Sequence, residues 1–347
     1  MNRVLRVLVV DDSADVRKVF KEMLSHSPEV EVVGTASDGE DALSAVARLK
    51  PDVVTCDLIM PRSDGVDFIQ KQMAIQPVPI IVVSISAESS ERVLNALDAG
   101  AVDFVQKPTA LATEKLFEIA EDLIAKVRAA ADASVMRLRS TAADRPSVAA
   151  AAPAVFQNRY DLVVIGVSTG GPQGLRLLIP RLAADFPVPI AIVLHMPIGY
   201  TEAYAKRLDE ASALTVVEAR EGELVRPGMV FVARAGRHLT FSRDTTGAVC
   251  IRLDISPLDS THRPSVDVLF QSAAEVYGDR VLGVVMTGMG DDGRQGAAWI
   301  KARGGTILTE AEESCVVYGM PRAVVEAGLS DASVPLEHLT DAIVERV

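Results

Sequence analysis

Apolar runs of four to seven residues recur along the first hundred or so positions, and each gives way to polar groups at its end. Val4–Val10 stops at Asp11-Asp12-Ser13, Val30–Thr35 before Ser37-Asp38, Val53–Cys56 at Asp57, Ile80–Val83 at Ser84, and Val102–Val105 just before Lys107-Pro108. Between the first two runs, Val16, Val19, Phe20, Met23 and Leu24 recur with the spacing of one helix face. After Ser37-Asp38, Leu43 and Val46 mark another helix. Short apolar strands that alternate with helical stripes predict βα units and a parallel sheet covered on both faces. The expected fold of this half is α/β, a doubly wound five-stranded parallel sheet.

From about Val127 the pattern weakens. Ala129–Ala154 is rich in Ala, Ser, Thr and Asp and has few large apolar residues after Leu138, as expected of a helix extension grading into a flexible linker. The expected divisions are a first domain over 1–125, a linker over 126–158 and a second domain over 159–347. In the second domain Leu162–Val167, Ile190–Leu194, Val281–Thr287 and Thr306–Thr309 read as strands with helical patterns between several of them. Met229–Ala233, His238–Ser242 and Val249–Leu253 are shorter and turn-bounded, with Asp244–Gly247 as a hairpin loop. They predict a small antiparallel β element beside a mainly parallel, doubly wound sheet. Leu336, Leu339 and Ile343 predict a closing helix.

Composition narrows the function classes. At 347 residues the chain has room for two cores, and 49% apolar with 24% charged residues describes a globular protein. The net charge of −12 argues against nucleic-acid binding, which needs a basic face. Cys56, Cys250 and Cys315 lack metal-ligand or CxxC spacing and read as free thiols of a cytoplasmic protein. No apolar run approaches the ~20 residues of a membrane span, and Arg3 and Arg6 interrupt any leader-like pattern. The expectation is a protein not inserted in a membrane.

Two groups of residues carry chemistry. Asp11, Asp12 and Asp57 follow predicted strands, and so does Lys107. In an open parallel sheet, ligands bind at these carboxyl ends, near the point where strand order reverses. Three carboxylates gathered there require a hard divalent cation, and Mg²⁺ suits oxygen ligands. With a lysine for phosphoryl oxygens, one aspartate can become an acyl phosphate. In the second half Ser168, His195 and the pair Asp291-Asp292 follow three separate apolar runs. Neighbouring parallel strands would bring these together for Ser–His–Asp chemistry, in which imidazole takes the hydroxyl proton and carboxylate orients the imidazole. Oxyanion donors would come from the glycine-rich turn or from Gly288-Met289-Gly290. Gly166-Val-Ser-Thr-Gly-Gly171 lacks the G-x-G-x-x-G spacing and any P-loop lysine. The order Ser…His…Asp differs from the Ser…Asp…His of α/β-hydrolases.

Residues 1 to about 125 resemble the receiver domains of two-component response regulators. Asp11-Asp12, Asp57 with Met60-Pro-Arg-Ser-Asp-Gly65, Ser84 and Lys107-Pro108 carry the likeness. It implies that Asp57 accepts the phosphoryl group and that Asp11, Asp12, Asp57 and the Ile59 carbonyl hold Mg²⁺. It also implies that Ser84 and Phe104 are the switch residues and that Lys107 binds phosphate. The second half resembles the chemotaxis protein-glutamate methylesterases. The stretches that carry this are Gly166-Val-Ser-Thr-Gly-Gly-Pro172, Leu194-His-Met-Pro197, His262–Phe270, Thr287–Gly293 and Ser314–Pro321. The family's triad falls on Ser168, His195 and Asp292, with Asp291 standing where relatives often have Asn. Thr169, Gly170 and Met289 fall at the oxyanion and site-lining positions.

The resemblance implies a phosphorylation-activated serine esterase of chemosensory adaptation. It would hydrolyse glutamate methyl esters on methyl-accepting chemotaxis receptors and deamidate certain receptor glutamines, as a protein-glutamate methylesterase and protein-glutamine glutaminase. A sensor histidine kinase would be the phosphodonor, the esterase domain would need no cofactor, and a monomer is expected. It also implies that the unphosphorylated receiver occludes the catalytic cleft. A non-enzymatic output domain is disfavoured by the intact Ser, His and Asp. A DNA-binding output is disfavoured by the acidic balance.

Overall fold

The computed structural model describes residues 3–60, 64–84, 90–107, 113–131, 133 and 159–347, apart from the side chains of residue 84 and of residues 113–118. Pro61-Arg62-Ser63, Pro108, the Ser84 hydroxyl and most of the expected linker therefore lie outside the described residues. The chain forms two compact units, Met1–Asp144 and Arg145–Val347.

The first unit runs β1 (Leu5–Val10), α1 (Ala14–Ser25), β2 (Val30–Ala36), α2 (Gly39–Leu49), β3 (Val53–Asp57), α3 (Gly65–Ile75), β4 (Ile80–Ser84), α4 (Ser90–Asp98), β5 (Asp103–Gln106) and α5 (Thr113–Ala131). Its strands are all parallel, in the order β2-β1-β3-β4-β5. The central β3 is buried at all five positions, whereas the edge strand β2 is buried only at Val30 and Ala36. Each of α1, α2 and α3 begins where an Ser13, Asp38 or Asp64 side chain accepts a first-turn N–H. Register sets Val10 beside Cys56, Asp57 beside Val83 and Ser84 beside Gln106, so Asp11, Asp57 and Lys107 reach one sheet edge. The last helix continues past residue 125. Val127 and Ala130 are buried in it, and Lys126 Nζ donates to the Phe104 carbonyl at 2.6 Å.

The second unit begins β6 (Leu162–Val167), α6 (Gly171–Leu178), β7 (Ile190–Leu194), α7 (Thr201–Glu210), β8 (Thr215–Glu218), β9 (Met229–Val232), β10 (His238–Arg243) and β11 (Val249–Asp254). It ends α8 (Val266–Tyr277), β12 (Val281–Val285), α9 (Arg294–Ala302), β13 (Thr306–Glu310), α10 (Met320–Glu326), β14 (Ala332–Val334) and α11 (Leu336–Val344). Seven parallel strands lie in the order β14-β13-β12-β6-β7-β9-β8, and β10 with β11 forms a separate antiparallel pair. The chain grows outward from β6 in one direction and then resumes at β12 on the other side. The crevice between β6 and β12 is thus the switch point of the sheet. Gly166 lets α8 lie close here, because a Cβ would come within 2.2 Å of Val266 Cγ1.

One strand departs from the sequence expectation. Met229–Ala233 was expected in the antiparallel element, yet β9 pairs in parallel with both β7 and β8. The physical reason is burial: all four β9 residues are covered, as an interior strand requires, whereas β10 becomes exposed towards its end. The hairpin itself forms, with the 244–247 loop closed by Ala248 N–H on Asp244 Oδ1 at 3.0 Å. β8 and β14 carried no strand signal because they are short edge strands, only partly buried.

Candidate active site

Ser168 sits on the turn between β6 and α6. Its amide donates to the Thr287 carbonyl at 3.0 Å, and its carbonyl accepts Gly171 N–H at 2.7 Å, which closes the turn. Gly170 holds a φ of +79° at the helix cap, a conformation suited to glycine. Gly288, after β12, backs directly onto the serine, since a Cβ there would lie 2.8 Å from Ser168 Cβ. His195 follows β7, and its amide donates to the Val167 carbonyl at 3.1 Å. Ser168 and His195 therefore leave adjacent strands at the same edge.

Asp292 approaches from the far side of the switch point. Its Oδ2 lies 2.8 Å from His195 Nε2, a contact between residues 97 positions apart. Three further donors hold it: Val266 N–H on Oδ2 at 2.8 Å, and Asp267 N–H and the Ser265 hydroxyl on Oδ1, each at 2.9 Å. All three belong to the start of α8, so the carboxylate occupies a helix N-terminus. Burial raises its pKa, but the hydrogen bond and charge of His195 and the amides of Asp267 and Val266 outweigh this, holding it down at about 2. Asp291, by contrast, is exposed and paired with Arg294 at 2.9 Å. With Nε2 committed to Asp292, the buried Nδ1 of His195 has no hydrogen-bond partner. Neutral imidazole with its proton on Nε2 would present a proton acceptor at Nδ1.

The donors around an incoming carbonyl can be narrowed. Gly171 N–H is bound to Ser168 O, and Gly288 N–H to Val317 O, so neither is free to serve an oxyanion. Met289 is half-buried in the loop between them and Asp292. Thr169 is buried, and its carbonyl accepts the Thr287 hydroxyl at 3.0 Å. A cleft of about 480 Å³ opens beside the carboxylate, lined among others by His262, Asp267, Asp291, Gln295 and Trp299. The His262 ring stacks on that of His195, with centroids 4.1 Å apart.

In the first unit Lys107 Nζ lies 2.6 Å from Asp11 Oδ2 and 2.8 Å from Asp57 Oδ2, all three groups being buried. Burial raises the Asp11 pKa, and Lys107 offsets only part of that rise. Burial lowers the Lys107 pKa, but its two carboxylate partners outweigh it and leave it raised. Ligand oxygens of Asp11, Asp12 and Asp57 lie within 4.8 Å of one another, close enough to share one cation. The Ile59 amide donates to Asp57 Oδ1 at 3.3 Å, which places that residue at the same mouth. Phe104 is buried in β5, and Ser84 ends β4.

Comparison with known proteins agrees with both halves. The pattern defining the CheB methylesterase family matches residues 163–343, and that of the response regulator receiver domain matches 7–121. The protein-glutamate methylesterase/protein-glutamine glutaminase 5 of Myxococcus xanthus (strain DK1622) is 53% identical over 335 residues, 96% of this chain and 95% of its own. That of Geobacillus kaustophilus (strain HTA426) is 42% identical over 99% of both chains. The crystal structure of the Thermotoga maritima CheB methylesterase catalytic domain shares 44% identity and a TM-score of 0.52, covering 54% of this chain and 98% of that one.

The chain belongs to the CheB methylesterase family.

Within this CheB-family chain, sequence reasoning missed the supports of the expected triad. Ser265 and the first amides of α8 grip Asp292, and the signal was a Ser-Val-Asp helix start inside the His262–Phe270 stretch. Glu310, fully buried at the end of β13, accepts Thr287 N–H at 2.9 Å and the Ser314 hydroxyl at 3.1 Å. It thereby fixes the loop that backs Ser168. Nothing local in the sequence marked it.

Proposed function

We propose that this CheB-family protein hydrolyses γ-glutamyl methyl esters on methyl-accepting receptors, releasing methanol, and deamidates receptor glutamines. The observation that carries the assignment of roles is the His195–Asp292 hydrogen bond, which leaves Nδ1 as the one ring nitrogen able to take a proton. Ser168 Oγ attacks the ester carbonyl as its proton passes to His195 Nδ1. Asp292, held ionised by His195 and the amides of the helix start, stabilises the imidazolium. Amides of Thr169, Gly170 and Met289 are the proposed oxyanion donors. The tetrahedral intermediate expels methanol, which takes the proton from His195. Water then attacks the acyl-serine by the same proton path and frees the glutamate. For a glutamine the leaving group is ammonia.

Ser168→Ala tests the assignment. Methanol release from methylated receptor is expected to fall to background with the fold intact, and fluorophosphonate labelling to vanish. Retained release in that variant rejects Ser168 as the nucleophile.

The first unit is proposed as the regulator. The carboxylates of Asp11, Asp12 and Asp57 fit a hard divalent cation, with the Ile59 carbonyl as a further oxygen. Mg²⁺ there would neutralise charge on an incoming phosphoryl group. Asp57 accepts that group from a sensor histidine kinase, and Lys107 pairs with the phosphoryl oxygens. Ser84 and Phe104 then change packing, and the receiver (1–125) releases the catalytic domain (159–347) through the 126–158 linker. A few kcal/mol of differential stability is enough for such a shift. The esterase half uses only its side chains and amides. We read the protein as a cytoplasmic monomer, to be tested by sedimentation and fractionation. Among the described residues no helix is long and apolar enough to cross a membrane.

A further inference from the structure

The N-termini of α8 and α9 are tied to each other by carboxylates, and only one of the two belongs to the expected triad. Asp292, just before α9, accepts Val266 N–H and Asp267 N–H at the start of α8. Asp267, in the first turn of α8, returns the arrangement. Its Oδ1 accepts Gly293 N–H at 2.9 Å and Gly296 N–H at 2.7 Å, both at the start of α9. Asp267 thus gives Asp292 a backbone donor and, through its side chain, grips the residue that follows Asp292. The result is a closed ring of bonds between residue 267 and residues 292–293.

Two glycines make the ring possible. Gly293 has a φ of +101°, in the left-handed region that glycine tolerates. At Gly296 a Cβ would come within 2.5 Å of Phe270 Cβ and 2.9 Å of Asp267 Cα, so the helices can approach only because that position is bare.

We infer that Asp267 is a positioning residue for the esterase reaction, fixing through Gly293 the orientation in which Asp292 holds His195. The inference rests on the function proposed above. Without the Asp267 side chain, the Gly293 and Gly296 amides lose that acceptor, and the tie from α8 to the segment runs only through Asp292 and its donors. Small displacements of a catalytic group are costly in rate. The ring also places a second carboxylate beside the triad. Burial pushes the Asp267 pKa up to about 6, reinforced by the charges of Asp292 and Asp291 against the pull of the Gly296 and Gly293 amides. The groups that share its surroundings are Asp292, Asp291 with its partner Arg294, and His262 across the cleft. Replacing Asp267 by Asn removes that carboxylate from beside Asp292, a change that the pH dependence of the reaction can read.

The test compares Asp267→Ala and Asp267→Asn with the wild-type full chain in methanol release from methylated receptor. D267A is expected to lose turnover on the order of 10²-fold with KM little changed. D267N keeps an oxygen for both amides and should recover most of that loss. In the same variant the acidic limb of the kcat/KM profile should move to lower pH. A residue that served only to cap a helix would leave that limb in place. Wild-type turnover in D267A, or a D267N as impaired as D267A with an unmoved limb, overturns the inference. Should D267A fail to fold, D267N alone decides: a limb at the wild-type pH overturns the proposal, and a shift to lower pH supports it. Absence of methanol release from the wild-type chain would instead reject the proposed function, so the two failures are distinguishable.

Discussion

Asp57, the last residue of β3, and Asp292, on the loop between β12 and α9, both lie beyond the carboxyl side of a parallel sheet, yet their oxygens are satisfied in opposite ways. Among the described residues, Asp57 has Lys107 at 2.8 Å on one oxygen and a longer amide contact at 3.3 Å on the other, with Asp11 and Asp12 crowded beside it. Asp292 has four donors within 2.9 Å, three of them from the start of one helix. The first carboxylate sits among like charges and has capacity for ions that come and go. The second is saturated by groups that never leave. A carboxylate that must exchange ligands needs unfilled oxygens, and one that must hold an imidazole still needs filled ones.

The widest gap between the two should appear in turnover. Asp292→Asn is expected to lower kcat for methanol release by about 10⁴-fold, because the amide can no longer accept from both His195 and α8. Asp57→Asn, or chelation of divalent cations, should leave basal release untouched while removing all stimulation by a small phosphodonor. A basal defect in D57N of comparable size would erase the distinction drawn here.

Deleting residues 1–158 comes next. If the unphosphorylated receiver occludes the cleft, the remaining chain should show basal release at least severalfold faster than the full chain, as a shift of a kcal/mol or more implies. Equal rates would confine the coupling to some route other than occlusion.

The smallest effect is on stability, and here Asp292 and Asp11 should differ in sign. Asp292 has its pKa depressed from 3.8 to about 2. Its contribution is therefore complete above pH ~4 and disappears as pH falls through 2, a loss of roughly 2 kcal/mol. Asp11 is raised by burial, so its protonation favours the folded receiver, and its contribution runs the other way. Trp299, the one tryptophan in the chain, reports the second unit alone. Urea midpoints followed by its fluorescence should drop between pH 4 and 2 in the wild-type chain and less so in D292N. A flat wild-type curve would show that His195 and the helix start together contribute little to holding Asp292 ionised.

What the amino-acid order determined by itself was the position of strand ends. In a parallel sheet covered on both faces, strands are uninterrupted apolar runs, so the residue that ends each run is visible without knowing its neighbours. That is why Asp11, Asp57, Lys107, Ser168 and His195 could be named, whereas Asp292 was separated from its neighbour Asp291 only by the family resemblance; turn residues marked the hairpin around Asp244, and helical spacing marked the helix of Leu336, Leu339 and Ile343. The strand pairing of Met229–Val232 was not, because four buried residues look alike in a hairpin and in an interior strand until both neighbours are known.

Only the tertiary structure decided which nitrogen of His195 meets Asp292. It alone brought the start of α8 onto that carboxylate, set Asp267 on the start of α9, and buried Glu310 behind the serine turn. These contacts join residues about 20 to 100 positions apart. Each is a hydrogen bond between groups whose local sequence would serve equally well facing water. Burial and direction give them their energy, and both arise only when the two helices close on the crevice between β6 and β12.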